Sequence, residues 1–270
     1  MVKRFKKKIE LLELDFDGTV TDVEHAKVGG AYTEGVLSDL VQLSQFTPQR
    51  VKEIAVEVWA QMKVSAHTEP WVINGIPIGP LMADPYLRVQ KVFRRVIAET
   101  ELEISPILLD RLITGPTYKH NYRLTGTRFW PNMRRVLEAA RSNTEFCVVT
   151  NSDPSEVGKK LAKLFRRDKP DWFDEWRRTS LKGFAKKFMP VSGSVPGVPE
   201  TVLMEGLGWP VYLHRPHYYT VIETLRAERG LDWNQMLFVG DIYQLDLALP
   251  AALGANVLLL VNEHTLPCEI

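Results

Sequence analysis

The sequence predicts an α/β protein, a doubly wound parallel sheet whose first two strands are separated by a large helical insert. Three observations predict it. Four short apolar runs, Ile9 to Leu14, Phe146 to Val149, Met236 to Val239 and Val257 to Val261, have the length and continuity of strands buried on both faces. Between most of them apolar residues recur at helical spacing, as at Met133, Val136, Leu137 and Ala140, or at Val221, Ile222 and Leu225. The long stretch between the first and second runs reads as helix and loop only. Strands that alternate with helices put helices on both faces of one parallel sheet.

The chain opens on a basic run, Lys3, Arg4, Lys6, Lys7 and Lys8, expected to be a solvated terminus; it leads into Ile9-Glu10-Leu11-Leu12-Glu13 rather than into the apolar region of a signal peptide. After the first strand, Val51, Ile54, Ala55, Val58, Trp59 and Met62 form one apolar helical stripe and Val89, Val92, Phe93, Val96 and Ile97 another. Between them Asn74-Gly75-Ile76-Pro77-Ile78-Gly79-Pro80 is turn-rich and is expected to be a loop. Lys182 to Pro216, with five Pro and five Gly, is long for a loop in a compact domain and reads as a functional excursion or a small hairpin. Within it Val211 to Leu213 is expected to supply a short fifth strand. No internal repeat is present.

Composition excludes several classes. With 45% hydrophobic and 25% charged residues the chain is neither disordered nor fibrous. Its 34 Lys and Arg against 33 Asp and Glu, net +1, lack the electrostatic footprint of a general nucleic-acid binder. No run approaches the roughly 18 apolar residues of a membrane-spanning helix, so no membrane partner is expected and the protein is expected to be cytoplasmic. Cys147 lies in an apolar run and Cys268 near the C-terminus, which leaves neither a disulfide framework nor a Cys-based zinc site. Oligomeric state is left open.

Chemistry gathers at strand ends. The first strand ends Leu14-Asp15-Phe16-Asp17-Gly18-Thr19-Val20-Thr21. Carboxylates at i and i+2 project to one side, and Gly18 permits a sharp turn, so both can address one cation or one reacting group; a solvated Asx turn is the alternative. A calcium loop fails, because its sixth position is Val20 and its twelfth Ala26. The second strand ends Val148-Val149-Thr150-Asn151-Ser152, hydroxyl and amide groups suited either to phosphate oxygens or to capping the next helix. A later strand ends Val239-Gly240-Asp241-Ile242-Tyr243-Gln244-Leu245-Asp246. Ligands of open α/β sheets bind outside such carboxyl ends, and carboxylates converging beside a hydroxyl make a hard-oxygen site suited to Mg²⁺ and a phosphate.

These motifs, in this order, resemble those of the haloacid dehalogenase (HAD) superfamily of phosphohydrolases: Asp15-Phe16-Asp17-Gly18-Thr19-Val20-Thr21, Thr150 after an apolar strand, a basic residue followed by Pro at Arg215-Pro216, and Gly240-Asp241 with Asp246. The likeness spans roughly residues 8 to 22 and 127 to 262, and Phe129 to Leu137 looks like the family's return from its insert. It implies a Rossmann-like core over residues 1–22 and 127–270 and a helical cap domain of the first type over residues 23–126. It implies Asp15 as nucleophile toward phosphorus and Asp17 as acid and then base. It further implies Mg²⁺ held by Asp15, the carbonyl of Asp17 and Asp241, with Thr150 and Asn151 on the phosphate and Asp246 behind them, orienting the basic residue or the metal's waters.

The departure lies at the third motif, where the family most often has Lys and this chain has Arg215. Arg can grip a phosphoryl group with a planar fork, and its separation of 26 residues from Asp241 fits the family interval. Lys186 and Lys187 are rivals, further from the fourth motif and without a following Pro. His214 and His217 have a spacing open to metal ligation but no second pair beside them. In and beside the insert, Trp71, Arg88, Arg123, Arg128 and Trp130 are candidates either for packing or for substrate contact. The resemblance implies Mg²⁺-dependent hydrolysis of a small phosphorylated metabolite through an aspartyl-phosphate. The alternatives are a catalytically silent HAD-like binding protein, a carbon–halogen hydrolase, which generally lacks an acid at the position of Asp17, or a phosphonate hydrolase, which needs a Schiff-base lysine such as Lys27, Lys52 or Lys63.

Overall fold

Strand β1 (Leu11–Leu14) is the middle of the sheet, and its alternation shows why it is buried on both sides: Leu12 and Leu14 pack into one apolar cluster, Leu11 into another on the opposite face. The computed structural model describes residues 7–23, 27–100, 102–123, 127–190 and 193–270. After β1 come helices α1 (Lys27–Ser44) and α2 (Pro48–Ser65), a hairpin of β2 (Pro70–Ile73) and β3 (Ile76–Pro80), then α3 (Pro85–Ala98) and α4 (Pro106–Arg123). Helix α5 (Met133–Asn143) leads into β4 (Glu145–Val149), followed by α6 (Pro154–Leu164), α7 (Phe173–Ser180) and the two-residue β5 (Leu181–Lys182). A second hairpin, β6 (Thr201–Val202) with β7 (Val211–Tyr212), precedes α8 (Pro216–Ala227), β8 (Met236–Gly240), α9 (Ala248–Ala252) and β9 (Asn256–Leu259).

The sheet runs β5-β4-β1-β8-β9, and every pairing in it is parallel. Leu14 stands opposite Val148 on one side and Val239 on the other, so the three strands end level and their following residues meet at one edge. The sheet is α/β and doubly wound in layout: Phe146, Val148, Val157, Leu161, Phe173 and Trp176 fill one face, Cys147, Val149, Ile222, Leu225 and Phe238 the other. Pro at the first turn with Asp153 as cap starts α6, and Thr47-Pro48 and Asp84-Pro85 start α2 and α3 by the same means.

The chain divides into two compact units. Met1–Asp22, Pro70–Gly79 and Phe129–Ile270 form the sheet unit; Val23–Glu69 and Pro80–Arg128 form the helical one. In the latter, the stripes read from the sequence are buried on α2 (Val51, Ile54, Ala55, Val58, Met62) and on α3 (Val89, Val92, Phe93, Val96, Ile97). Tyr32 of α1 donates to Tyr86 O at 3.1 Å.

Three elements differ from the sequence reading. The fifth strand of the sheet is β5; Val211 and Tyr212 instead pair antiparallel with β6. Their apolar character comes from burial of Val211 and Leu213 against Ala248. Asn74 to Pro80 is a turn and a strand, not a loop: Asn74 and Gly75 both have positive φ (52° and 78°), the two-residue turn that closes β2 onto β3. Although these residues lie between helices of the insert in sequence, residues 70–79 group with the sheet unit.

Candidate active site

Where β1 ends, Phe16 O accepts from the N–H groups of Val20 and Thr21 (3.0 Å each) and from Thr21 Oγ1 (3.1 Å), which folds Asp17 to Val20 into a tight turn. Gly18 has φ +97°, and a Cβ there would come within 2.1 Å of Asp241 Oδ2, so only glycine lets the Asp241 carboxylate sit this close. Gly240 does the same for Asp246, whose Cβ lies 2.3 Å from where a side chain would begin. Level strand ends and two glycines thus bring Asp15, Asp241 and Asp246 together. Each offers an oxygen, all within 4.8 Å of one another, and all three residues are buried.

The counter-charge is Lys187. Its Nζ donates to Asp15 Oδ1 and to Asp246 Oδ1, each at 2.9 Å, and lies 5.5 Å from the centre of the Tyr218 ring. Burial pushes the Asp15 carboxyl up to about 7, Lys187 pulling the other way and Asp246 adding to the rise. Burial alone would lower the Lys187 ammonium, but Asp15 and Asp246 outweigh it and hold its pKa well above the ordinary value. Asp246 is oriented twice more, by Ile242 N on its Oδ2 (3.1 Å) and by Tyr218 Oη on its carbonyl (2.9 Å).

Lys187 reaches this place through an unusual loop. Phe184 and Lys186 both have positive φ (52° and 50°), rare for residues with side chains and costing about 1 kcal/mol or more each. Three bonds to consecutive residues after β4 hold the loop: Phe184 N to Ser152 O (3.1 Å), Ala185 N to Thr150 O (2.9 Å) and Lys187 N to Asn151 Oδ1 (2.7 Å). The left-handed turn at Lys186 sends adjacent lysines to opposite fates: Lys186 is exposed and Lys187 has no exposure.

Arg215, expected at the phosphate, is elsewhere. It is 1% exposed, and its guanidinium donates to three main-chain carbonyls, Lys187 O (2.5 Å), Ile78 O (2.9 Å) and Tyr212 O (3.2 Å). A planar fork suits three carbonyls converging from three segments, and Lys187 supplies the cation at Asp15. Asn151 likewise spends its side-chain oxygen on Lys187 N. Thr150 is buried beside Asp15's strand end and accepts from Ser152 N at 3.1 Å. The Asp17 carboxylate turns to Ser152 Oγ (2.7 Å) and Lys160 Nζ (3.8 Å).

Glu13 is a residue the sequence reading passed over. It lies on β1 two positions before Asp15, fully buried, and among the described residues neither of its side-chain oxygens has a hydrogen-bond partner. Burial drives its pKa well above the usual carboxylate range, Lys187 opposing and Asp15 and Asp246 adding to the rise. Of the remaining candidates, His214 and His217 each set a ring nitrogen against a carbonyl, Val198 O and Phe184 O. Trp130 Nε1 donates to Gly18 O at 3.0 Å, so this tryptophan braces the turn after β1. Trp71 is in β2 and Arg88 on α3, while the side chains of Arg123 and Lys27 lie outside the described residues.

The donor set fits a hard divalent cation: carboxylate oxygens from Asp15 and Asp241 lie within 4.8 Å of one another, and the Gly18 cradle leaves the second of them its room. Asp246, with both oxygens engaged by Lys187 and Ile242 N, orients the others.

No family model matches the sequence, and no curated protein matches it. Among solved structures the chain is similar to a predicted phosphoglycolate phosphatase from Haemophilus somnus (16% identity, 93% of this chain, 85% of that chain, TM-score 0.48) and a haloacid dehalogenase-like hydrolase from Xanthomonas campestris (14%, 96%, 84%, 0.45). It is also similar to a 2-haloacid dehalogenase from Pseudomonas syringae (16%, 93%, 86%, 0.41). Likenesses this distant say nothing of what this chain does. Among the described residues no helix is long and apolar enough to cross a membrane.

Proposed function

We propose that the chain is a Mg²⁺-dependent phosphohydrolase acting on a small phosphomonoester through an aspartyl-phosphate on Asp15. The observation that carries this reading is the buried group of Asp15, Asp241 and Asp246 with the Lys187 ammonium 2.9 Å from the first and the last. A carboxylate pushed up to about 7 by burial is short of a cation. Mg²⁺ held by Asp15, Asp241 and the Asp17 carbonyl would supply it, screening the charge between two anions that must meet.

The chain's own groups supply the rest. Asp15 attacks phosphorus while Asp17 passes its proton to the leaving oxygen; Asp17 then takes a proton from the water that cleaves the aspartyl-phosphate and regenerates Asp15. Ser152 holds Asp17 in reach. Lys187 takes the part expected of Arg215, donating to the nucleophile and to a phosphoryl oxygen beside it. The Thr150 hydroxyl accepts from Ser152 N and still has its own proton to donate to phosphate. Asp17 argues against carbon–halogen hydrolysis, which has no leaving oxygen to protonate, and the full set of charged groups argues against a silent binding protein.

The test is a mass measurement after rapid acid quench of the Mg²⁺-loaded protein turning over an aryl phosphate. A phosphoryl adduct on the peptide containing Asp15 supports the reading; steady turnover without an adduct, at any quench time, refutes the covalent route.

A further inference from the structure

We propose that Arg215 is a positioning residue: it fixes Lys187 against the nucleophile and ties the β2–β3 hairpin to the same point. Its kinetic arm rests on the phosphohydrolase reading; its structural arm does not.

The long, flexible Lys187 stem can aim its ammonium only as well as its main chain is held. That main chain is gripped at both polar groups, the N–H by Asn151 Oδ1 at 2.7 Å and the carbonyl by Arg215 Nη1 at 2.5 Å. The other arms of the same guanidinium reach Ile78 O at 2.9 Å and Tyr212 O at 3.2 Å. One planar cation thus joins Ile78 of β3, Tyr212 of β7 and the Lys187 loop, three points within the sheet unit. An ammonium could not reproduce it, because three donors at fixed angles are needed in one plane. Burial lowers the Arg215 pKa to about 10, so the side chain stays charged at neutral pH and its donors stay in place. A continuous path then runs from the hairpin to the nucleophile: Ile78 O, Arg215, Lys187 and Asp15.

Two variants test this, Arg215→Met, which keeps volume without donors, and Arg215→Lys, which keeps charge without the fork. The first readout needs no catalysis. A water-soluble N-hydroxysuccinimide acetate is reacted with each folded protein, and lysine acetylation is followed by peptide mass spectrometry. Lys187 should be protected in the wild type and acetylated at least about 10-fold faster in both variants, with the exposed Lys159 and Lys169 as unchanged references; a rise in amide exchange of residues 70–79 should accompany it. On an aryl phosphate, both variants should lose about 100-fold in kcat with KM within about threefold, the cost of a misplaced catalytic group. Unchanged Lys187 protection in folded Arg215→Met overturns the proposal, and so does restoration of protection and kcat by Arg215→Lys, which would make charge alone sufficient. If neither variant folds and every lysine reacts alike, Arg215 belongs to the fold alone and the proposal also fails. A wild type inert toward phosphate esters, with Lys187 unmasked in the variants, would leave Arg215 in its role and sink the phosphohydrolase reading instead.

Discussion

The Lys187 ammonium stands 2.9 Å from Asp15 Oδ1 with no exposure to water, and the same nitrogen is equally close to Asp246. Each charge here is tolerable only because of the others. Replacing Lys187 with Met should therefore destabilise the protein by about 3–5 kcal/mol in urea unfolding, since it strands two buried carboxylates. Turnover should fall by about 100-fold or more. Adding Asp246→Asn should return part of the stability but none of the activity; fully additive losses would mean the three groups are not coupled.

Asp15→Asn keeps the shape and removes the charge proposed to attack phosphorus. Turnover of an aryl phosphate should drop by at least about 1,000-fold while the protein stays folded. Wild-type-like turnover in that variant ends the nucleophile assignment.

The pH dependence of stability follows from the same carboxyl. In the metal-free protein the Asp15 pKa rises from 3.8 unfolded to about 7 folded. Its contribution is then full below about pH 4 and is lost as pH rises through about 7; Glu13, also raised by burial, acts with the same sign. Metal-free protein should melt at a higher temperature at pH 5 than at pH 8, and Asp15→Asn should flatten that difference. On the proposed reading Mg²⁺ would bind the deprotonated form, so its stabilisation should be larger at pH 8 than at pH 5. A melting temperature that climbs steadily from pH 5 to pH 8 without metal contradicts the raised pKa.

Much of this was legible and some was not. Asp15, Asp241 and Asp246 stand beside apolar strands and glycines, so their meeting could be read from spacing. Lys187 could not, because its place depends on left-handed turns at Phe184 and Lys186 that residue types disfavour. Arg215 misled for a physical reason: a basic residue before a proline looks the same whether its fork meets a phosphate or carbonyls from three distant segments. The β2–β3 hairpin was signalled by Asn74-Gly75 and hidden by the prolines around it. Strand β5, two residues long, has no periodicity to detect.

Metal dependence gives a fourth measurement. Excess chelator should abolish turnover, Mg²⁺ should restore it, and Ca²⁺, with its higher coordination number, should restore little. Asp241→Asn should raise the Mg²⁺ needed for half-activity by about 10-fold or more.

Gly18→Ala should raise the Mg²⁺ requirement in the same way, because its Cβ meets the Asp241 carboxylate; Gly75→Ala, also at positive φ but with nothing within 4 Å, should leave it unchanged. Equal effects of the two would assign the Gly18 result to backbone strain rather than to the displaced carboxylate.

The place of β1 in the sheet also bears on how the chain is made. It is made before both of its neighbours in the sheet, β4, whose first residue is Glu145, and β8, which begins at Met236. At roughly 5–20 residues per second the nascent strand waits on the order of ten to forty seconds for its second partner. During that wait Leu11, Leu12 and Leu14 are an open, sticky edge. Glu13 and Asp15 beside those leucines, and Lys7 and Lys8 just upstream, are charges of the kind that disfavour pairing of such a segment with other copies.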